Sequence, residues 1–327
     1  MRYTNLLMQI DNSRIKNILC VRNDRFGEFL LCIPALRALK ESFPGSKLTL
    51  VADSYIEGLA RQIEAVDNVL TWENKKHKFG EVLKFSRELK AGKFDLCVIF
   101  NPSKESNLIS FLAGIAIRVG YDRKWGILLT HRMQDKKCLG EKHEIEYNLD
   151  LVGLIGAKTQ NKVLSLKIDE GLFDIEGRGS LIAIHPWTSD PVKQWPVDNF
   201  VSLSKKLADE LNNKVLIIGG SEEADKGRRY FENLSSNIIN LTGKTSLTQL
   251  GALLKKCRVL VSGDSGPVHL ASCAGIPSVV VFRNDLAGKT ARRWGPMSFG
   301  SAVIEKPNLA DIKVEEVFEK VKGALNR

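Results

Sequence analysis

The chain has 327 residues, 43% of them hydrophobic and 26% charged, with a formal net charge of +10 and a pI near 9.2. That length suits two domains of about 150 residues better than one, and the composition is that of a soluble globular protein rather than a disordered or fibrous one. No apolar run reaches the ~18 residues of a membrane span.

The N-terminal stretch MRYTNLLMQIDNSRIKN lacks a continuous apolar core, so no signal peptide is expected. The positive excess calls for an anionic partner. Its basic residues are dispersed, in clusters no longer than Lys75-Lys76-His77-Lys78, and aromatics are not interleaved with them. That favours an anionic substrate or an acidic membrane face, approached weakly, and speaks against nucleic acid. Cys20, Cys32, Cys97, Cys138, Cys257 and Cys273 form no CxxC pair and no Cys/His cluster, and most sit in apolar runs, so they read as buried thiols in a reducing compartment, the cytoplasm.

Ile18–Val21 is a first strand. It runs into Arg22-Asn23-Asp24-Arg25-Phe26-Gly27-Glu28 and then a helix marked by Phe29, Leu30, Ile33, Leu36 and Leu39, stopped at Ser42-Phe43-Pro44-Gly45. Strands at Leu48–Val51, Val69–Trp72 and Phe94–Phe100 alternate with helices at Tyr55–Ile63, Phe79–Lys90 and from Lys104 to Ala113. Such alternation implies a parallel sheet with right-handed crossovers. A short strand Ile117–Tyr121, a basic irregular stretch to Arg132 and a helix from His143 to Gly156 follow, and Lys158–Gly179 is the expected linker. No G-x-G-x-x-G follows the first strand, so a dinucleotide site there is unsupported.

The second half repeats the pattern. Strands Leu181–His185, Lys214–Ile218 and Ile238–Leu241 alternate with helices near Val197–Leu211, Ala224–Leu234 and Leu247–Lys255, and the last helix is Val314–Leu325. Its most informative stretch is VLVSGDSGPVHLASCAGIPSVVVF, from Val259 to Phe282: strand, loop, helix, strand. Pro267 suits a first helical position, and a helix start at the carboxyl end of a strand suits a phosphate. An ordinary helix cap reads from the same residues.

Several motifs now occur together and in one order. Arg22–Glu28 with Pro34-Ala35-Leu36, His185-Pro186-Trp187-Thr188 with Lys193-Gln194-Trp195-Pro196, Gly219-Gly220-Ser221-Glu222, Asp264-Ser265-Gly266-Pro267-Val268-His269 and Arg293-Trp294-Gly295-Pro296 together resemble the ADP-heptose:lipopolysaccharide heptosyltransferases, glycosyltransferase family 9. The resemblance runs from Ile18 to the last helix. One residue departs from it: Glu28 stands where the family usually has aspartate.

The resemblance implies a GT-B fold, in which two Rossmann-like doubly wound domains face a central cleft: an acceptor domain over residues 1–172 and a nucleotide-sugar domain over 173–327. The last helix, about 313–326, would return to the first domain. It implies an inverting, metal-independent transferase that uses no cofactor and moves heptose from ADP-heptose to the inner core, Kdo or heptose, of lipopolysaccharide. The partners would be a nucleotide sugar and an anionic lipid-linked glycan, met at the cytoplasmic face of the inner membrane. Another nucleotide sugar, an epimerase, or a non-catalytic sugar-nucleotide binder are the alternatives.

Glycosyl transfer needs a base, stabilisation of the leaving diphosphate and alignment of the reactants. Glu28 is the expected base and Asp24 its rival; Arg22 and Arg25 are expected on the acceptor. Lys193 and Thr188 would meet the phosphates, Glu222 the ribose, and Asp264, Ser265, Gly266 and His269 the donor around the loop. By residue type alone, Glu28 is equally a first-turn carboxylate and Lys193 a solvated loop lysine. His269 is equally a structural helix residue.

Overall fold

The computed structural model describes residues 11–176 and 181–326, and these divide into two compact units: 11–138 with 144–162, and 139–143 with 163–326. The first unit contains β1 (Asn17–Val21), α1 (Phe26–Leu30), α2 (Ile33–Ser42), β2 (Lys47–Ala52), α3 (Glu57–Ala60), β3 (Asn68–Thr71), α4 (Phe79–Ala91), β4 (Leu96–Ile99), α5 (Lys104–Leu112), β5 (Ile117–Tyr121), β6 (His131–Met133) and α6 (Glu144–Gly153). Its sheet is wholly parallel in the order β3-β2-β1-β4-β5-β6. Cys20 in β1 pairs with Leu50 on one side and Val98 on the other. Leu19, Val21, Val51 and Ile99 pack with Phe85 and Leu89 of α4 and Ile109 of α5 on one face, and Ile18, Cys20, Leu50 and Val98, which alternate to the other face, are fully buried too, so the strands read as continuous apolar runs.

The second unit contains β7 (Leu181–His185), α7 (Val197–Leu211), β8 (Lys214–Ile217), α8 (Ala224–Phe231), β9 (Ile238–Asn240), α9 (Leu247–Lys256), β10 (Val259–Gly263), α10 (Gly266–Ala274), β11 (Ser278–Arg283), α11 (Ala291–Trp294), β12 (Ala302–Lys306) and α12 (Val314–Leu325). Its parallel sheet has the order β12-β11-β10-β7-β8-β9. Both sheets are therefore doubly wound, and the direction of winding reverses between β1 and β4 in one and between β7 and β10 in the other. A doubly wound sheet opens a crevice for ligand at that point, outside the carboxyl ends of the strands.

Some expectations need correction. The first helix is two helices, because Pro34 sits in the first turn of α2 and cannot donate to the carbonyl of Leu30, so the chain breaks at Leu31-Cys32. The boundary between units falls at 162/163 rather than 172/173, since Leu164 and Ile168 are buried and an added Cβ on Gly251 of α9 would meet Ile168. Residues 177–179 of the expected linker lie outside the described residues. Helix α12 has its own unit to pack on: Val317, Phe318 and Val321 share a core with Leu203, Val259 and Val279. Burying that apolar stripe in the second core stabilises the helix. The short strands β6 and β12 were not expected from the sequence. Five cysteines are buried thiols as read, while Cys138 is exposed. Among the described residues no helix is long and apolar enough to cross a membrane.

Candidate functional site

The loop leaving β1 at the first winding reversal gathers charge in a buried setting. Arg22 is 1% exposed, and its guanidinium lies 2.7 Å from Asp24, 3.1 Å from Glu28 and 3.9 Å from Glu144 at the start of α6. It also donates to the Phe100 carbonyl past β4 at 3.4 Å. Lys137 Nζ holds Glu144 at 2.6 Å. A buried arginine is tolerable only when its donors meet acceptors and its charge meets carboxylates, and all three carboxylates serve that end.

The two candidate bases are not equivalent. Burial lifts the Asp24 carboxyl well above the usual carboxylate range; Arg22 pulls it back, and Glu28 pushes it further up through both its charge and a shared hydrogen bond. Glu28, with about a third of its side chain exposed against a sixth for Asp24, is the one that reaches solvent. Its first-turn position in α1 also suits a carboxylate, so the two readings of Glu28 coexist. Arg22, expected on the acceptor, is instead the counter-ion beneath the carboxylates, with 2% of its side chain exposed. Arg25 is exposed, at the N-cap of α1.

In the second unit the loops after β7 and β10 meet at the second winding reversal. Lys193 forms an ion pair with Asp264 across 71 residues of sequence, both side chains mostly buried. Burial raises the Asp264 carboxyl, and Lys193 opposes the shift. Thr188 closes a turn with Asp190, accepting from its N–H at 3.2 Å, and Asp190 takes Lys289 at 3.1 Å. Lys289 also acts on Asp264 through its charge. Two lysines and two aspartates thus alternate around the loop, and a diphosphate entering there would compete for the lysines.

Helix α10 begins at Gly266 with Pro267 in its first turn and Ser265 at its N-cap. The Ser265 hydroxyl does not cap the helix. It lies 2.7 Å from Ser262 and 3.1 Å from Nδ1 of His185, whose imidazole burial pushes down to about 4 and so keeps neutral at physiological pH. The first turn of a nine-residue helix is left to meet an anion with its backbone donors and dipole. His269, one turn in, is 4% exposed, a buried helix residue. Glu222 stands exposed after β8, and the capping bond to Gly220 N–H is made by Glu223 at 2.8 Å. At that turn Gly219 must be glycine, because a Cβ would come within 2.5 Å of the Trp187 ring.

The residues that sequence reading missed are Glu144, Lys137 and Lys289. Each is a common charged residue in an unremarkable local pattern, and only its partner marks it. Among the described residues no three His, Cys, Asp or Glu side chains gather to hold a metal ion.

Comparison with known proteins adds the last observation. The model of glycosyltransferase family 9 (heptosyltransferase) matches residues 82–322. A Haemophilus influenzae protein that carries only the general name of glycosyltransferase is 26% identical over 302 residues, covering 87% of each chain. Lipopolysaccharide heptosyltransferase 2 of Escherichia coli is 23% identical, covering 81% of this chain and 82% of its own. The solved structure of E. coli ADP-heptose lps heptosyltransferase II superposes with a TM-score of 0.82 at 22% identity, over 95% of this chain and 98% of that one. These likenesses identify the pair of doubly wound units as the GT-B class of fold.

Proposed function

This chain belongs to glycosyltransferase family 9, the heptosyltransferases, and we propose on that footing that it transfers heptose from ADP-heptose to an inner-core sugar of lipopolysaccharide, Kdo or heptose, with inversion. The observation that carries the reading is the division of labour between the two winding reversals: two carboxylates of unequal exposure on a buried arginine in one unit, and lysines with a helix start in the other. The donor and the acceptor class are those of the related lipopolysaccharide heptosyltransferases.

In this reaction the acceptor hydroxyl attacks the anomeric carbon of the donor. The new bond is carbon to acceptor oxygen, the bond that breaks is carbon to phosphate oxygen, and ADP leaves with the electron pair. Glu28 takes the hydroxyl proton, and Arg22, 3.1 Å from it, offsets the negative charge gathered there. Lys193 exchanges Asp264 for the leaving diphosphate, and Lys289 adds charge beside it, with the first turn of α10 supplying N–H groups. Asp264, released from Lys193, accepts from a donor-sugar hydroxyl. Glu222 accepts from the ribose hydroxyls, and Arg25 meets the anionic acceptor. Charge from lysines and a helix start makes a divalent ion dispensable in this scheme.

The test is a transfer assay with ADP-heptose against ADP-glucose, UDP-glucose and UDP-N-acetylglucosamine, each offered with Kdo-terminated and heptose-terminated inner-core acceptors. ADP release coupled to a heptosylated product is the expected outcome. Product from a different nucleotide sugar alone would overturn the donor assignment, and absence of transfer despite tight donor binding would favour a binding protein.

A further inference from the structure

The loop from Asp122 to Leu128, leaving β5, is fastened more firmly than its exposure requires. Lys124 and Trp125 are consecutive non-glycine residues in the left-handed region, at φ 46° and φ 71°, a costly conformation for such residues. Asn107 of α5, 1% exposed, holds them there: its Nδ2 donates to the Lys124 carbonyl at 3.0 Å and the Arg123 carbonyl at 3.4 Å. Gly126 permits the turn, since a Cβ would lie 2.8 Å from Asp122 Oδ1. Arg123 is tied to Asp135 at 2.7 Å.

This scaffold presents an apolar tip to solvent. Trp125 is 50% exposed and Ile127 80%. Lys104 stands over the Trp125 ring at 5.7 Å, and neither Lys104 nor Lys124 has a carboxylate partner among the described residues. Because every strand of the sheet is parallel, the loop leaves the same edge as Arg22–Glu28. Exposed Lys76, Lys78 and Phe79 follow β3 at that edge too.

We propose that the Lys124-Trp125-Gly126-Ile127 tip is a docking spike for an anionic phospholipid surface, inserting Trp125 and Ile127 at the interfacial layer while Lys104 and Lys124 sit among headgroup phosphates. Two apolar side chains are far too small a patch for a stable protein interface, which needs on the order of 800 Å² per partner. A tryptophan and an aliphatic tip flanked by lysines are what the bilayer interface takes up. The net charge of +10 points the same way. The spike deepens the proposed function and rests on it for its purpose: it would hold the acceptor domain against the surface that carries a lipid-linked acceptor.

The full chain is floated with vesicles of phosphatidylethanolamine and phosphatidylglycerol, and with vesicles of phosphatidylcholine alone. Binding to the anionic vesicles is expected, weakened about tenfold or more by Trp125→Ser with Ile127→Ser and about fivefold by each of Lys104→Gln and Lys124→Gln. Trp125→Phe, which keeps an apolar ring, should retain most of it, and unchanged melting temperatures show that the fold stands. In transfer assays the double variant should lose rate on a vesicle-embedded acceptor and keep the parent rate on the same glycan without acyl chains. Parent-like flotation of the double variant, binding only to vesicles that carry the glycolipid acceptor, or equal loss on both acceptors would overturn the docking role. Flotation as expected with no transfer to any acceptor would leave the spike standing and remove the proposed reaction.

Discussion

The two units wind their six strands in the same order, and each places its ionisable residues where the winding reverses. What they place there is opposite in character. After β1 three carboxylates surround the buried guanidinium of Arg22, and burial lifts the Asp24 carboxyl well above the usual carboxylate range. After β7 and β10 the charges alternate, Lys193 with Asp264 and Lys289 with Asp190, at the start of a helix. The first arrangement suits the exchange of a proton, the second the capture of a diphosphate. One topology has supplied the same crevice twice, and only the burial and sign of a few side chains separate the two roles.

The largest effect expected from breaking this contrast is at Glu28. Glu28→Gln keeps the size and cannot take a proton, so transfer should fall by roughly 10²-fold or more while the donor dissociation constant, read by calorimetry, stays within error. Glu28→Asp should keep part of the rate. If Glu28→Gln is fully active and Asp24→Asn is dead, the two carboxylates have been assigned the wrong way round.

The second unit should answer through binding. Lys193→Ala removes a charge-assisted contact and should weaken ADP-sugar affinity by about 10- to 100-fold. Lys205→Ala, exposed on α7, should leave it unchanged. Equal affinities for the two variants would remove Lys193 from the phosphate site.

The smallest effect is on stability, and its sign follows from the raised Asp24 carboxyl. A folded state that prefers Asp24 protonated binds more protons than the unfolded chain between the unfolded value near 4 and the raised one. The parent's contribution from this residue is therefore complete at low pH and is lost as pH rises through that window. Asp24→Asn cannot titrate, so its melting temperature relative to the parent should improve steadily from acid towards neutral pH. A difference independent of pH would mean that Asp24 is not held in its protonated form.

The sequence by itself determined the strands and helices almost throughout, because buried parallel strands write apolar runs and helices write a three-to-four spacing. Helix α10 is an instance: Pro267 at its start and Gly275, at φ 77°, after its end are signals that act within a few residues. The candidate site was legible to the extent that its residues lie on motif loops. Glu28, Lys193, Asp264 and Ser265 do, and each ends beside a winding reversal.

Strand order, and everything that depends on it, was decided only in the tertiary structure. Whether β1 lies beside β4, or β7 beside β10, is set by crossovers whose packing no local period records. Arg22 could thus be read as an exposed acceptor contact, while the fold buries it under Asp24 and Glu28. Glu144 and Lys137 carried no signal, since a buried ion pair is defined by its partner rather than by its neighbours in the chain. The apolar face of α12 was visible, but an amphipathic stripe states only that it is to be buried. The second unit's core, with Phe318 among Leu203 and Val259, decided where.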